Sequence, residues 1–368
     1  MSSSPSRPRF QMKTGARSAL APAALGLVIL AALFAAPFLA SRATLRDLFF
    51  VLTLIALAQF WNLLAGYAGI ISIGQQAYVG FGGYMLFALT SFAGIDPVAA
   101  IVLAGALGGL IAVPTARLVF RLAGPYLAVG TWVVAEVFRL VFAQIRRLGG
   151  GTGASLPTAV TNESWSVHFV ALTMDVRASV ARDRLTYWLA VILAAATIAM
   201  VYALLRSRRG LALAAIRDNE AAAGSIGIDG MGAKLWVYVA ASAGASLVGA
   251  LIFFQTARVS PDAAFSVTDF TAYVLFVVVI GGIGTIEGPI VGALVLYLMR
   301  NELADFGPVY LMLLGALAIV AMLFFPKGLW GALANRFDVD LFPIRRRLVV
   351  QGAEPRREIV RAAPPAAP

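Results

Sequence analysis

The chain has 368 residues, of which 60% are hydrophobic and only 13% charged, with a formal net charge of +11. Soluble domains carry roughly 25% charged residues, and together with the mean hydropathy of +0.86 this excludes an ordinary soluble protein. With no cysteine and a single histidine, His168, disulfides, thiolate chemistry and histidine-based metal sites are also set aside.

Apolar runs of about 17–25 residues recur along almost the whole chain, each long enough to cross a hydrocarbon core of about 30 Å. Ten spans are expected, at 20–40, 45–64, 67–92, 97–116, 125–144, 185–205, 235–256, 270–285, 288–303 and 308–325. The fold class is therefore all-α: a polytopic membrane protein whose third, eighth and ninth spans are shortened or broken by glycine. The first run is too long for a signal-peptide core and lacks a clear cleavage site, so it reads as a retained span. One membrane domain is expected over 19–330, between a basic amino tail (1–18) and a basic, disordered carboxyl tail (331–368).

An even number of spans puts both termini on one side. That side collects most of the 29 Lys and Arg residues, including Arg7, Arg9, Lys13, Arg17, Arg117, Arg121, Arg206, Arg208, Arg209, Arg217, Lys234 and the carboxyl-tail arginines. Basic loops stay in the cytoplasm, so this side is expected to be cytoplasmic, with 206–234 as a cytoplasmic loop and 146–184 as an outer one. Topology and anionic lipid account for the net charge better than nucleic acid does.

The first polar feature at membrane depth is Asn62–Tyr84, where glycine, the poorest helix former after proline, recurs every few residues. Non-helical backbone survives there only when buried in protein or lining a cavity. Asn62, Gly66, Gly69, Ser72, Gly74, Gln75 and Gln76 are thus candidates for a solute pathway, the other reading being close helix packing through small residues. The second feature is Glu136 and Arg139 in the fifth span. A spacing of three puts them on one helix face. A lone mid-bilayer charge costs about 2.5–3.5 kcal/mol on insertion scales, so both are expected to face the bundle interior and to pair, as structural residues or as pathway contacts.

Between two strongly apolar segments lies the polar island 211–233. Asp218 or Asn219 is positioned to cap a short helix, Glu220 places a carboxylate in its first turn, and Gly227 supplies a stop. Such a helix has about two turns, whereas roughly 12–15 residues are marginal in water, so something must pack against it. It is either a docking peg for another protein or a loop helix folded on its own bundle. Further on, Gly281–Pro289 is glycine-rich but lacks the lysine of a phosphate loop, and reads as a tight turn between two short membrane segments. No nucleophile–base constellation or metal cluster lies in the spans, so the chain is not expected to be an enzyme.

Over roughly 45–330 the chain resembles the LivM-like permease subunits of branched-chain amino acid ABC importers. The resemblance rests on Gly66-Tyr67-Ala68-Gly69, Ser72-x-Gly74-Gln75 and Gly80-x-Gly82-Gly83-Tyr84, and on Glu136-x-x-Arg139. It continues through Arg217-Asp218-Asn219-Glu220-x-Ala222-Ala223-x-x-x-Gly227, Gly281-Gly282-x-Gly284-Thr285-x-x-Gly288-Pro289 and Phe325-Pro326-Lys327-Gly328-Leu329. It implies that Arg217, Asp218, Asn219, Glu220, Ala222, Ala223 and Gly227 form a coupling helix that seats in an ATPase subunit. It implies no cofactor in this chain, ATP being bound by two partner ATPases, together with a second permease, an extracytoplasmic solute-binding protein and a bacterial inner-membrane location. Leucine, isoleucine and valine are the implied solutes, although relatives move other amino acids, urea or short amides. The chain departs from the pattern at Gly149-Gly150-Gly151-Thr152-Gly153, where a Thr-Gly-Gly run is usual, and at Gln75-Gln76. A secondary transporter or channel would share the broken helices but would not need the docking helix.

Overall fold

The computed structural model describes residues 9–13, 20–303, 309–325, 328–337, 341–342 and 347–351. The helices are α1 (Leu20–Leu39), α2 (Arg42–Asn62), α3 (Gln75–Ala93), α4 (Pro97–Val119), α5 (Pro125–Gln144), α6 (Thr158–Asn162), α7 (Trp165–Met174) and α8 (Ala178–Arg206). They continue with α9 (Arg208–Asp218), α10 (Glu220–Ser225), α11 (Gly230–Thr256), α12 (Pro261–Ala264), α13 (Tyr273–Gly281), α14 (Glu287–Leu303), α15 (Val309–Phe324) and α16 (Gly328–Phe337). The protein is all-α and polytopic. Among the described residues, seven helical stretches are long and apolar enough to cross a membrane. Three further expected spans, those of α1, α3 and α14, are helices outside that set.

Helix α11 runs through the middle of the bundle, against α3 and α4. Glycines make the approach possible: a Cβ on Gly82 would stand 2.0 Å from Ser246 O, and one on Gly249 2.0 Å from Val79 O. Small residues let membrane helices close to backbone contact, where dispersion replaces the hydrophobic drive that lipid cannot supply. Several buried hydroxyls inside this packing are paired. Tyr78 Oη lies 2.5 Å from Thr115 Oγ1 and donates to Tyr238 Oη at 3.1 Å, joining α3, α4 and α11.

The sixth span starts earlier than expected, at Ala178 rather than 185. The polar run Arg182-Asp183-Arg184 hides this extension from a hydropathy reading, but Asp183 is buried at 4% exposure and takes Arg42 Nη2 at 2.5 Å, pinning α8 to the start of α2. Arg42→Ala would strand that carboxylate with only Arg46 nearby, at 3.7 Å. Because Arg42 is itself half-exposed, the expected loss is about 1–3 kcal/mol, below that of a fully buried pair, read as a lower thermal midpoint in detergent. At the same end, Asp96 caps α4 through Val98 N (3.0 Å) and holds α7 through Ser166 N (3.0 Å). A two-residue strand pair, β2 (Ala154–Ser155) with β3 (Arg258–Val259), closes the 145–177 loop onto the exit of α11.

Two findings depart from the tail assignment. Helix α16 runs to Phe337, past the expected domain boundary at 330, and the short strands β1 (Arg9–Lys13) and β4 (Arg347–Gln351) pair antiparallel. Most other residues of the expected tails, 1–18 and 331–368, lie outside the described ones.

Candidate functional site

Helix α2 does not end cleanly. Its last turn loosens into a π-turn over Leu63–Tyr67, and residues 68–74 are non-helical before α3 begins at Gln75. The third span therefore starts eight residues later than expected. Gly69 takes φ +69°, which an L side chain adopts only with strain. The backbone groups freed by the break find partners: Ala68 N donates to Leu63 O (3.3 Å), Ile70 N to Leu64 O (2.9 Å), and Trp61 Nε1 to Ser72 O (2.8 Å). Ile73 N donates to Thr131 Oγ1 of α5 at 3.0 Å. Membrane interiors offer no water to do this, so the pairing makes the break tolerable.

Most of the candidate pathway residues are packed into this junction. Asn62 is fully buried; its Nδ2 donates to Thr285 O (2.8 Å), and its Oδ1 accepts from Gly284 N (2.8 Å). One turn earlier on the same face, Gln59 Nε2 donates to Ile286 O at 2.5 Å. The tight turn 282–286 is thus clamped to α2 by two amide side chains. Gly66 is required by space, since a Cβ there would lie 2.3 Å from Asn62 Oδ1 and 2.7 Å from Gly284 N. Gly328 covers the turn from the other side, where a Cβ would stand 2.3 Å from Gly282 Cα. Gly74 abuts Thr131 O, at 2.2 Å from a would-be Cβ. Ser72 accepts from Gly74 N (3.2 Å), Gln75 Nε2 donates to Leu57 O (2.9 Å), and Gln76 Oε1 accepts from Thr271 Oγ1. Among the described residues, Gln75 Oε1 and Tyr84 Oη are buried without a hydrogen-bond partner.

The polar island forms two helices rather than one. Ser207 caps α9, which buries Leu213 and Ile216 and ends at Asp218. Asn219 is the cap of α10: it is extended (φ −160°, ψ 106°), and its Oδ1 accepts from Ala222 N at 3.0 Å. Gly227, at φ +83°, follows the end of α10. Of its six residues α10 buries only Ala223. Both carboxylate oxygens of Glu220 take Lys234 Nζ of α11 at 2.7 Å. Ile226, just beyond, is 74% exposed. Arg217 turns the other way. Its Nη1 donates to Gly66 O at 2.6 Å, so the end of α9 touches the α2 break directly. A cation against the last carbonyls of a helix is favoured by their partial negative charge.

Glu136 and Arg139 pair at 2.6 Å, but not in the bundle interior. Their side chains are 47% and 31% exposed, on the face of α5 that also shows Val129, Val133, Val137 and Leu140. Arg139 also reaches Asp262 of α12 at 3.0 Å. The expectation of an interior pair is corrected: α5 is a marginal helix of this chain, covered on one side only. An open polar face at membrane depth requires protein or water against it. Beside α5 runs the non-helical segment 68–74, with Gly69 and Ile71 exposed.

Several partners escaped sequence reading. Gln59 was legible in principle, three residues before Asn62 and so on the same face. Asp262, Thr131, Lys234 and the Arg217–Gly66 contact carry no local signal, because each partner lies far along the chain. Among the described residues no group of His, Cys, Asp or Glu is arranged to hold a metal ion.

The family described as branched-chain amino acid transport system / permease component matches residues 41–323. The high-affinity branched-chain amino acid transport system permease protein LivM of Escherichia coli (strain K12) is 27% identical over 314 residues, covering 80% of this chain and 71% of that protein. Its counterpart in Salmonella typhimurium shows the same identity and coverage, 27% over 314 residues. No solved structure matches. The matched region takes in the α2 break, the α9–α10 pair and the clamped turn 282–286, and the chain belongs to the branched-chain amino acid transport system permease family.

Proposed function

We propose that the chain is one membrane-spanning subunit of an ATP-driven importer for branched-chain amino acids, in a bacterial inner membrane with both termini in the cytoplasm. The observation that carries this reading is α10: a capped six-residue helix that buries only Ala223 in its own chain and presents Ile226 outward. A helix this short has no stability of its own, since isolated helices need roughly 12–15 residues. A surface that seats it is therefore part of the expected working state. In this reading α10 docks into one of two cytoplasmic ATPases, which bind the ATP. A second permease covers the α5 face, and a solute-binding protein delivers the solute from outside.

The solute pathway then runs along the open α5 face, past Glu136 and Arg139. Asn62, Gly66, Gly69, Ser72, Gly74, Gln75 and Gln76 form the junction behind it. ATP-driven closure of the ATPases moves the docked helices, and the bundle opens alternately to each side. A passive channel would need no docking helix. The tagged chain, purified in mild detergent, is expected to bring an ATPase and a second permease with it. A chain that purifies alone from native membranes overturns the reading.

A further inference from the structure

The arginine that opens the Arg217-Asp218-Asn219-Glu220 motif does not sit with the rest of the motif. Asn219 and Glu220 serve α10 and its tether to α11, whereas Arg217 Nη1 donates to Gly66 O at 2.6 Å. It also comes within 3.1 Å of the position a Cβ would take on Gly284. Gly284 N is in turn held by Asn62 Oδ1 at 2.8 Å. Three separate elements thus meet at one guanidinium: the end of α9, the π-turn that ends α2, and the turn between α13 and α14. Two of them meet only because Gly66 and Gly284 carry no side chain.

We propose that Arg217 is a positioning residue that transmits movement of the α9–α10 pair into the membrane, through the Gly66 carbonyl and the Asn62-clamped turn. This rests on the importer reading above and deepens it. Arg217 is then not a contact for the ATPase, as its place in the motif suggests, but the internal end of the lever that the ATPase moves.

The geometry gives a reason for each part. The eleven-residue α9 is capped at its start by Ser207 and anchored by Leu213 and Ile216, so it moves as a unit. At the break that ends α2 the helical ladder loosens, and there Gly66 O takes a side chain from α9. A displacement of α9 either drags Gly66 O with it or releases it. The Asn62 side chain is bonded to the 282–286 turn and packs directly over Gly66, so a shift at Gly66 presses on both. Lysine at 217 would keep the charge on a shorter, single-point donor, and alanine would leave the carbonyl without its cation.

The test uses the full assembly, in membranes and in proteoliposomes, with three readouts: ATPase recovered with the tagged chain, rate of ATP hydrolysis, and solute moved. Arg217→Ala is expected to keep the ATPase bound and hydrolysing near the wild-type rate, while solute moved per ATP falls on the order of tenfold. Arg217→Lys should recover part of that loss. Asn62→Ala, which removes the other half of the same contact, should reproduce the split without touching the docking helix. Loss of the ATPase from Arg217→Ala while Asn62→Ala retains it would place Arg217 at the partner interface and overturn the proposal. Unchanged transport per ATP in Arg217→Ala would overturn it too. If Arg217→Ala does not accumulate in the membrane, Arg217→Lys and Asn62→Ala decide, and full coupling in both overturns the proposal. Failure of the importer reading itself looks different, because the wild-type chain then recovers no ATPase at all.

Discussion

Glu220→Lys is expected to cut ATP-driven uptake by about tenfold while leaving the protein in the membrane. Both Glu220 oxygens lie 2.7 Å from Lys234 Nζ, and the two side chains are 57% and 22% exposed. An exposed pair of this kind is worth about 0.2–1 kcal/mol. Reversing the charge replaces the attraction with a repulsion of similar size, a swing of about 0.4–2 kcal/mol. In a long helix that would matter little. Here, among the described residues, α10 rests chiefly on Ala223, the Asn219 cap and this ion pair, so the swing falls on the seated geometry itself. About 1.4 kcal/mol corresponds to a tenfold change in population. The double variant Glu220→Lys/Lys234→Glu separates two explanations. Recovered uptake would show that the pair acts by holding α10 in place, and continued loss would show that a partner reads the Glu220 carboxylate.

Gly66→Ala is expected to damage the junction severely. The new Cβ would stand 2.3 Å from Asn62 Oδ1, 2.7 Å from Gly284 N and 3.0 Å from Gly284 Cα. Asn62 has no free rotamer to yield into, because both ends of its amide are bonded to the 282–286 turn. The methyl therefore breaks those bonds or displaces the turn, and the expected cost is about 2–4 kcal/mol. Gly69→Ala is the control. Gly69 has φ +69° and nothing within 4 Å of a would-be Cβ, so only backbone strain is added, about 1–2 kcal/mol. Thermal unfolding in detergent should rank Gly66→Ala below Gly69→Ala, with uptake lost in the former. Equal midpoints would mean that the junction is looser than its distances indicate.

The membrane helices were legible because hydropathy reports burial in lipid directly. Where the boundaries moved, a local signal had been overruled by a distant one. The apolar Ala68, Ile70, Ile71 and Ile73 read as the start of a span, yet positive-φ Gly69 and the bonds to Trp61 and Thr131 keep that stretch non-helical. Conversely, Asp183 reads as a loop residue but sits inside α8, because Arg42 neutralises it. The short capped helix of the polar island was legible from its cap and stop residues. The island's division at Asn219 was not, since Leu213 and Ile216 make the preceding turns a helix in their own right. The pairing of Glu136 with Arg139 follows from helix geometry alone. Which way the pair faces depends on how α5 packs in the bundle, which a single helix cannot state. The glycines of 62–84 meet two different backbone demands. Gly66, Gly74 and Gly82 are there for close approach, and Gly69 is there for its backbone angle.

The central claim is that movement in the cytoplasm, powered by ATP in partner subunits, reaches the membrane through α9 and α10. The measurement that tests it most directly is uptake of radiolabelled leucine into proteoliposomes holding the complete co-purified assembly, compared with proteoliposomes holding this chain alone. The account predicts uptake only in the complete assembly, only with hydrolysable ATP on the side of α10, and its loss with Glu220→Lys. Leucine movement by the chain alone, without ATP and unaffected by Glu220→Lys, would contradict it.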